Sequence, residues 1–226
     1  MKAQIIVPAF NESQIIFKVL TSLPKKLKGI SDIETILVND GSQDDTLEQA
    51  EKAKVQTVSH VINRGLGAAI KTGIEWAKSK NTDIIITFDS DGQHASADIP
   101  KIIKALITQK ADLVIGSRFL KKQKIPLDKL LINKFANLAT FLMFGVKSSD
   151  SQSGMRAFSK EAIKLIDFKG ERMDFSSEIL YEAKRNNLRI VEVPIKAIYT
   201  PYSRGKGQKH LNAIPILIRF LVRFLR

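Results

Sequence analysis

Short, nearly unbroken apolar runs alternate with segments of helical periodicity through the first half of this chain, and that alternation leaves few folds open. Residues 4–7, 35–38, 55–58, 84–88 and 113–115 read as strands. Their lack of polar alternation is what a strand buried on both faces requires. Between them, residues 13–23, 45–53, 66–78 and 99–108 read as helices. Repeating βα units predict an α/β protein with a doubly wound, mostly parallel sheet. Ligands bind such sheets beyond the carboxyl ends of the strands. Polar clusters stand at those ends: Pro8-Ala9-Phe10-Asn11-Glu12, Asn39-Asp40-Gly41-Ser42, Asn63-Arg64-Gly65, Asp89-Ser90-Asp91-Gly92-Gln93-His94 and Gly116-Ser117-Arg118. The pattern predicts five adjacent strand ends that carry chemistry.

The fourth cluster is the most specific. If the strand continues through it, Asp89 and Asp91 point the same way, with Gln93 close behind. Two carboxylates at a buried strand end are costly unless something pairs with them. A hard divalent cation bound through oxygen ligands is the natural partner. The chain has no cysteine and three histidines, which excludes disulfides, thiolate chemistry and a cysteine zinc site. Its net charge of +13 suits phosphorylated substrates or an anionic membrane face. Nucleic acid is not expected as a partner: basic residues are dispersed and aromatics make up only 7% of the chain. Gly65-Leu66-Gly67 lacks the third glycine of a dinucleotide fingerprint and does not open the first βα unit. It is read instead as an exposed helix start able to approach a phosphate or ribose.

Beyond Arg118 the pattern changes. Residues 121–124 form a basic loop, 130–144 a long apolar helix, and 150–158 a polar turn leading into a short strand. Residues 176–186 read as a helix, 190–199 as a last strand broken by Pro194, and 202–210 as a basic, glycine-rich loop. The 130–144 helix reads either as core or as a helix lying on a membrane. Residues 211–226 are apolar apart from Asn212, Arg219, Arg223 and Arg226, and the three arginines share one helical face. At about 1.5 Å per residue this segment reaches roughly 24 Å, short of a bilayer core of about 30 Å. It is therefore expected to lie in the interface as an amphipathic helix. The expected division is a catalytic domain over 1–210 and an interfacial helix over 211–226.

Taken together, Val7-Pro8-Ala9-Phe10-Asn11-Glu12, Val38-Asn39-Asp40-Gly41-Ser42, Asn63-Arg64-Gly65-Leu66-Gly67 and Asp89-Ser90-Asp91-Gly92-Gln93-His94 resemble the family-two glycosyltransferases of GT-A fold. The likeness is strongest to the dolichol-phosphate mannose synthase and polyprenyl-phosphate glycosyltransferase group. Asp150-Ser151-Gln152-Ser153-Gly154-Met155-Arg156 and Arg204-Gly205-Lys206-Gly207-Gln208-Lys209 resemble that group's acceptor and diphosphate segments. The resemblance implies a Rossmann-like GT-A sheet and a role for each matching residue. Pro8, Asn11, Glu12 and Asp40 would line the nucleotide pocket, with Asp89 near ribose and metal. Asp91 would be the principal ligand of Mg²⁺ or Mn²⁺, assisted by Asp89 and Gln93. Arg118, Ser153 and Arg156 would hold an acceptor phosphate, and Arg204 and Lys209 the donor diphosphate. Asp91, Arg118 and Arg156 would form the catalytic set.

The implied reaction is inverting transfer of a hexose from a nucleotide sugar, GDP-mannose or UDP-glucose, to a polyprenyl or dolichyl phosphate. The enzyme would sit peripherally on the cytoplasmic face of a membrane. An acceptor phosphate is already anionic and needs no strong base, and the acidic motif has no convincing base beside it. Two alternatives stand: transfer to a hydroxyl acceptor, for which Glu178 is the candidate base, and a non-catalytic nucleotide- or membrane-binding module. Plainer readings also stand: the Asp40 and Asp89–Asp91 clusters as Asp-Gly turns that cap the next helix, Arg118 and Arg156 as structural ion pairs, Lys209 as a solvated loop charge, and Glu178 as a helix-surface carboxylate.

Overall fold

The computed structural model describes residues 1–171 and 174–202. Arg204, Lys209 and the 211–226 segment lie outside the described residues. The elements run β1 (Lys2–Ala9), α1 (Ile16–Ser22), β2 (Asp32–Asn39), α2 (Thr46–Lys52), β3 (Gln56–Ser59), α3 (Leu66–Ser79), β4 (Ile84–Thr87), α4 (Ile99–Thr108), β5 (Leu113–Ser117), α5 (Leu127–Phe144), β6 (Arg156–Ser159), α6 (Lys160–Leu165), α7 (Phe175–Arg185) and β7 (Ile190–Pro194), with a single 3₁₀ turn at Ser96–Asp98.

The strands form one seven-stranded sheet in the order β3-β2-β1-β4-β6-β5-β7. Alternate side chains of the central strands enter two cores. Ile5 and Val7 pack with Val19 and Leu20 of α1 and Ile102 and Leu106 of α4. Ile6 and Ile85 pack on the other face with Ile70 and Ile74 of α3 and Ile179 and Leu180 of α7. Helix α3 lies close on β1 because Gly73 has no side chain: a Cβ there would stand 2.3 Å from Ile6 Cγ2.

One strand departs from the expected arrangement and decides where the site lies. β6 inserts antiparallel between β4 and β5, pairing Arg156 with Thr87 on one side and Ile115 on the other. The five strand ends are therefore not all adjacent. Because β6 runs backwards, its first residue lies at the edge where β4 and β5 end. The 150–155 turn is thereby delivered beside Asp89 and Arg118. Apolar runs identify strands but carry no information about pairing partner, so this insertion left no mark in the periodicity. Smaller differences also appear: α5 begins at Leu127, α6 was not anticipated, and β7 ends at Pro194 rather than running to residue 199.

Candidate active site

The acidic pair is built by a turn, not by strand alternation. β4 stops at Thr87, and Gly92 takes φ +73°, in the left-handed region that glycine favours. Asp91 accepts from the Gln93 backbone N–H at 2.9 Å and from Gln93 Nε2 at 2.6 Å, closing a short Asx-type turn. Gln93 is thus tied to the carboxylate it was expected to assist. Asp89 Oδ2 lies 3.1 Å from Nε2 of His94, a ring buried edge-on against Phe88. Sequence reading gave His94 no role, yet it is the side chain that holds Asp89. Gly154 completes the setting, because a Cβ there would lie 2.0 Å from both Asp89 carboxylate oxygens.

The two carboxylates differ electrostatically. Burial alone would raise Asp89, but the His94 hydrogen bond and the charges of His94, Arg118 and Arg156 hold it below the usual carboxylate range. Burial and the neighbouring Asp89 charge push Asp91 up to about 6. Close carboxylates of this kind, with one resisting ionisation, are suited to a divalent cation. Among the described residues no cluster of three or more His, Asp or Glu side chains forms a closed metal cage.

The two arginines are held in different ways. Arg118, just beyond β5, donates through Nε and Nη2 to Asp150, each at 2.7 Å, and through its backbone N–H at 3.0 Å. Asp150 is fully buried and also accepts from Asn133 Nδ2 at 2.7 Å. Burial would lower the Arg118 pKa, but the hydrogen bonds and charge of Asp150 raise it overall. Arg118 therefore does form a structural ion pair. Arg156 does not: Nη2 donates to the Ser151 carbonyl at 2.7 Å, while the buried Nε and Nη1 have no partner among the described residues. Burial draws its pKa down to about 10, with Asp150 and Asp89 opposing that shift, so it stays charged near neutrality. Ser153 is fully buried and donates to the Gly116 carbonyl at 2.5 Å, which makes it a strut of the turn.

On the far side of the acidic pair, Pro8 is buried in β1 and Asn11 takes φ +53°. Asn11 pins the 42–43 loop: its N–H donates to Ser42 Oγ at 3.0 Å, and its Oδ1 accepts from Gln43 N at 2.8 Å. Glu12 receives the Tyr202 hydroxyl at 2.5 Å, so the end of the described chain folds back onto this edge. Asp40 is buried and accepts from His60 Nδ1 at 2.7 Å, Asn63 Nδ2 at 2.9 Å, Arg64 N at 3.0 Å and Gly65 N at 2.7 Å. These bonds engage both carboxylate oxygens, so Asp40 acts in this structure as the anchor of the 60–65 loop.

The α3 start is not open either. Ala68 N donates to the Glu171 carbonyl at 3.1 Å, and a Cβ on Gly67 would lie 2.1 Å from the Gly170 carbonyl oxygen. That glycine serves close packing. Glu178, the candidate base, accepts from Lys169 N at 2.9 Å and Gly170 N at 2.7 Å, which makes it a clamp on the same loop.

The sequence profile of glycosyl transferase family 2 matches residues 4–166. The chain belongs to that family. It is 38% identical to a UDP-N-acetylglucosamine–dolichyl-phosphate N-acetylglucosaminyltransferase of Methanococcus voltae, over 96% of this chain and 94% of that protein. It is 30% identical to an undecaprenyl-phosphate mannosyltransferase of Micrococcus luteus, over 91% and 87%. Among solved structures it resembles glucosyl-3-phosphoglycerate synthase from Mycobacterium tuberculosis in complex with Mn²⁺ and UDP-glucose. That match has a TM-score of 0.73 at 20% identity and covers 99% of this chain and 77% of that one. The fold is GT-A, and the protein is a glycosyltransferase.

Gly154→Ala tests whether the Asp89 setting matters for this activity. The added methyl must displace the carboxylate, and misplacing a reacting group by about 1 Å can cost roughly 10²-fold in turnover. Wild-type turnover in that variant would mean that Asp89 is not where the chemistry occurs.

Proposed function

We propose that this glycosyltransferase moves a sugar from a nucleotide sugar to a polyprenyl-type lipid phosphate at a membrane surface, with inversion at the anomeric carbon. The observation that carries the acceptor assignment is Arg156. A buried guanidinium with Nε and Nη1 unpartnered among the described residues is costly unless an anion reaches it. A planar fork of N–H donors suits phosphate oxygens. The two relatives differ in sugar but both carry a lipid phosphate in their names, so the acceptor is the property they share.

In this reading Asp91, with Asp89 and Gln93, would hold Mg²⁺ or Mn²⁺, and the ion would supply positive charge against the departing nucleoside diphosphate. His94 keeps Asp89 oriented and ionised. Pro8, Asn11, Glu12 and the Asp40-anchored loop frame the nucleotide, with Arg204 and Lys209 on its diphosphate. Arg156 and Arg118 draw the acceptor phosphate to the opposite side of the acidic pair, and Ser153 and Asp150 position them. A phosphate oxygen attacks directly, so no proton need be removed. That agrees with Glu178 being committed to a loop.

Helix α5 supports the membrane-surface reading, because its apolar side chains face outward and its polar ones inward. Asn133 and Thr140 are buried, while Leu127, Leu131, Phe135, Leu138 and Leu142 are 52–76% exposed at spacings of four, four, three and four. The core reading of this helix does not hold. Exposed Lys121, Lys122, Lys124, Lys134 and Lys147 lie in or beside the same segment. Each apolar side chain removed from water is worth about 1.5–3 kcal/mol, and each lysine near anionic headgroups about 1 kcal/mol. The apolar face therefore dominates, and salt should weaken binding without abolishing it. No helix among the described residues is long and apolar enough to cross a membrane.

The test is sugar transfer in Mn²⁺ from UDP-N-acetylglucosamine, UDP-glucose or GDP-mannose. Acceptors are polyprenyl phosphate in anionic vesicles and, separately, a hydroxyl-ended glycolipid. Transfer to the phosphate is expected. Transfer confined to the hydroxyl acceptor would overturn the assignment, and no transfer to either would favour the binding-module reading.

A further inference from the structure

The inner face of α5 touches the turn that carries the acceptor arginines. Asn133 Nδ2 donates to Asp150 Oδ1, which also receives Arg118 Nη2, both at 2.7 Å. Asn137, one turn later, donates through Nδ2 to the Ser149 carbonyl at 2.8 Å and to Asn133 Oδ1 at 2.9 Å. Its Oδ1 accepts from Ser151 N at 2.9 Å, and the Ser151 carbonyl receives Arg156 Nη2 at 2.7 Å. The orientation of both amides is determined by these partners. Ser151 N can only donate, and the Ser149 carbonyl and the Asp150 carboxylate here accept. Both arginines are thus linked to α5 through short hydrogen-bond chains, on the side of the helix opposite Leu131, Phe135 and Leu138.

We propose that Asn133 and Asn137 are positioning residues that couple seating of the outer face of α5 on a bilayer to the placement of Arg118 and Arg156. This rests on the lipid-phosphate reading and adds a regulatory property to it. With its apolar face in water, α5 is held from the inner side alone, through Asn133, Asn137 and the Thr140–Ser177 hydroxyl contact. Burying the outer face in headgroups and acyl chains fixes the helix from both sides, and the inner asparagines transmit that restraint to the 149–151 turn. The coupling is local, through contiguous hydrogen bonds, and both arginines depend on it. The enzyme is therefore more competent toward its acceptor when docked than when free, even if the acceptor itself is water-soluble.

The experiment uses a short-chain, water-soluble isoprenyl phosphate as acceptor, with and without acceptor-free anionic vesicles. In the wild type the vesicles should lower its KM several-fold. Asn137→Ala should raise that KM about ten-fold and abolish the vesicle effect. Its Mn²⁺-dependent affinity for UDP or GDP, read by calorimetry, and its flotation with vesicles should stay at the wild-type level. Asn137→Gln keeps an amide that can accept from Ser151 N–H and donate to the Ser149 carbonyl, and should recover part of the loss, which a general folding defect would not allow. Leu131→Glu combined with Phe135→Glu should lose both flotation and the vesicle effect while retaining the vesicle-free KM. A wild-type KM in Asn137→Ala, or a vesicle effect that survives in it, overturns the coupling alone. Wild-type protein inert toward both this acceptor and vesicle-borne polyprenyl phosphate overturns the functional reading and the coupling with it.

Discussion

Asp91→Asn is expected to abolish Mn²⁺-dependent nucleotide binding and to lower sugar transfer by on the order of 10²–10³-fold. The side chain barely changes in size, so the effect is one of charge. Asp91 is pushed up to about 6 by burial and by Asp89 beside it, so its charge is retained against an electrostatic cost. Removing that charge relieves the repulsion, and the unliganded protein should melt at the wild-type temperature or slightly above it. The backbone N–H of Gln93 still finds an oxygen to donate to, which keeps the turn closed. Unchanged stability with lost metal-dependent binding is the signature of a ligand held at a stability cost. Calorimetry with UDP and GDP, with and without Mn²⁺, gives the answer. An affinity that keeps its metal dependence would remove Asp91 from the metal site.

The strands that build the floor of the site were legible because a buried parallel strand leaves a direct trace, as in Ile84-Ile85-Ile86. The polar clusters at their ends were legible through residue types: Asp, Asn, Gly and Arg where an apolar run stops. What stayed hidden depends on encounters between distant segments. Nothing local to Asp40 predicts that residues 60, 63, 64 and 65 would fold back and occupy both its oxygens. Nothing local to Gly154 predicts that a carboxylate 65 positions earlier would press against it. Asp89 and Asp91 are electrostatic neighbours through a turn at Gly92, not through the strand alternation that seemed to align them. Helix α5 was ambiguous because periodicity shows that a helix has an apolar face without showing what that face meets. Its two inner asparagines read as ordinary polar residues until Asp150 and Ser151 appeared opposite them.

Asp150→Asn should be the most destabilising of the conservative substitutions at this site. Asp150 is fully buried and takes the fork of Arg118, the Arg118 backbone N–H and the Asn133 amide. Asparagine fills the same space but carries no charge, and one of its two ends becomes a donor facing donors. Arg118 is then a largely covered cation without its counter-charge, and Arg156 loses one of the two negative groups that offset its own burial. Removing one partner of a buried ion pair costs about 3–5 kcal/mol. For a chain of this size each kcal/mol lowers the melting temperature by about 2–4 °C, so the expected drop is roughly 6–20 °C. Adding Arg118→Leu to Asp150→Asn should restore part of that loss, because the stranded cation goes with it. The two single substitutions should therefore sum to more than the double, a non-additivity that isolates the pair. On the proposed role of Arg118, acceptor use should not recover in the double variant. Thermal melts of the two single variants and the double decide the point. Strict additivity would mean that Arg118 and Asp150 contribute independently, and that Arg118 can meet an acceptor phosphate without Asp150 to hold it.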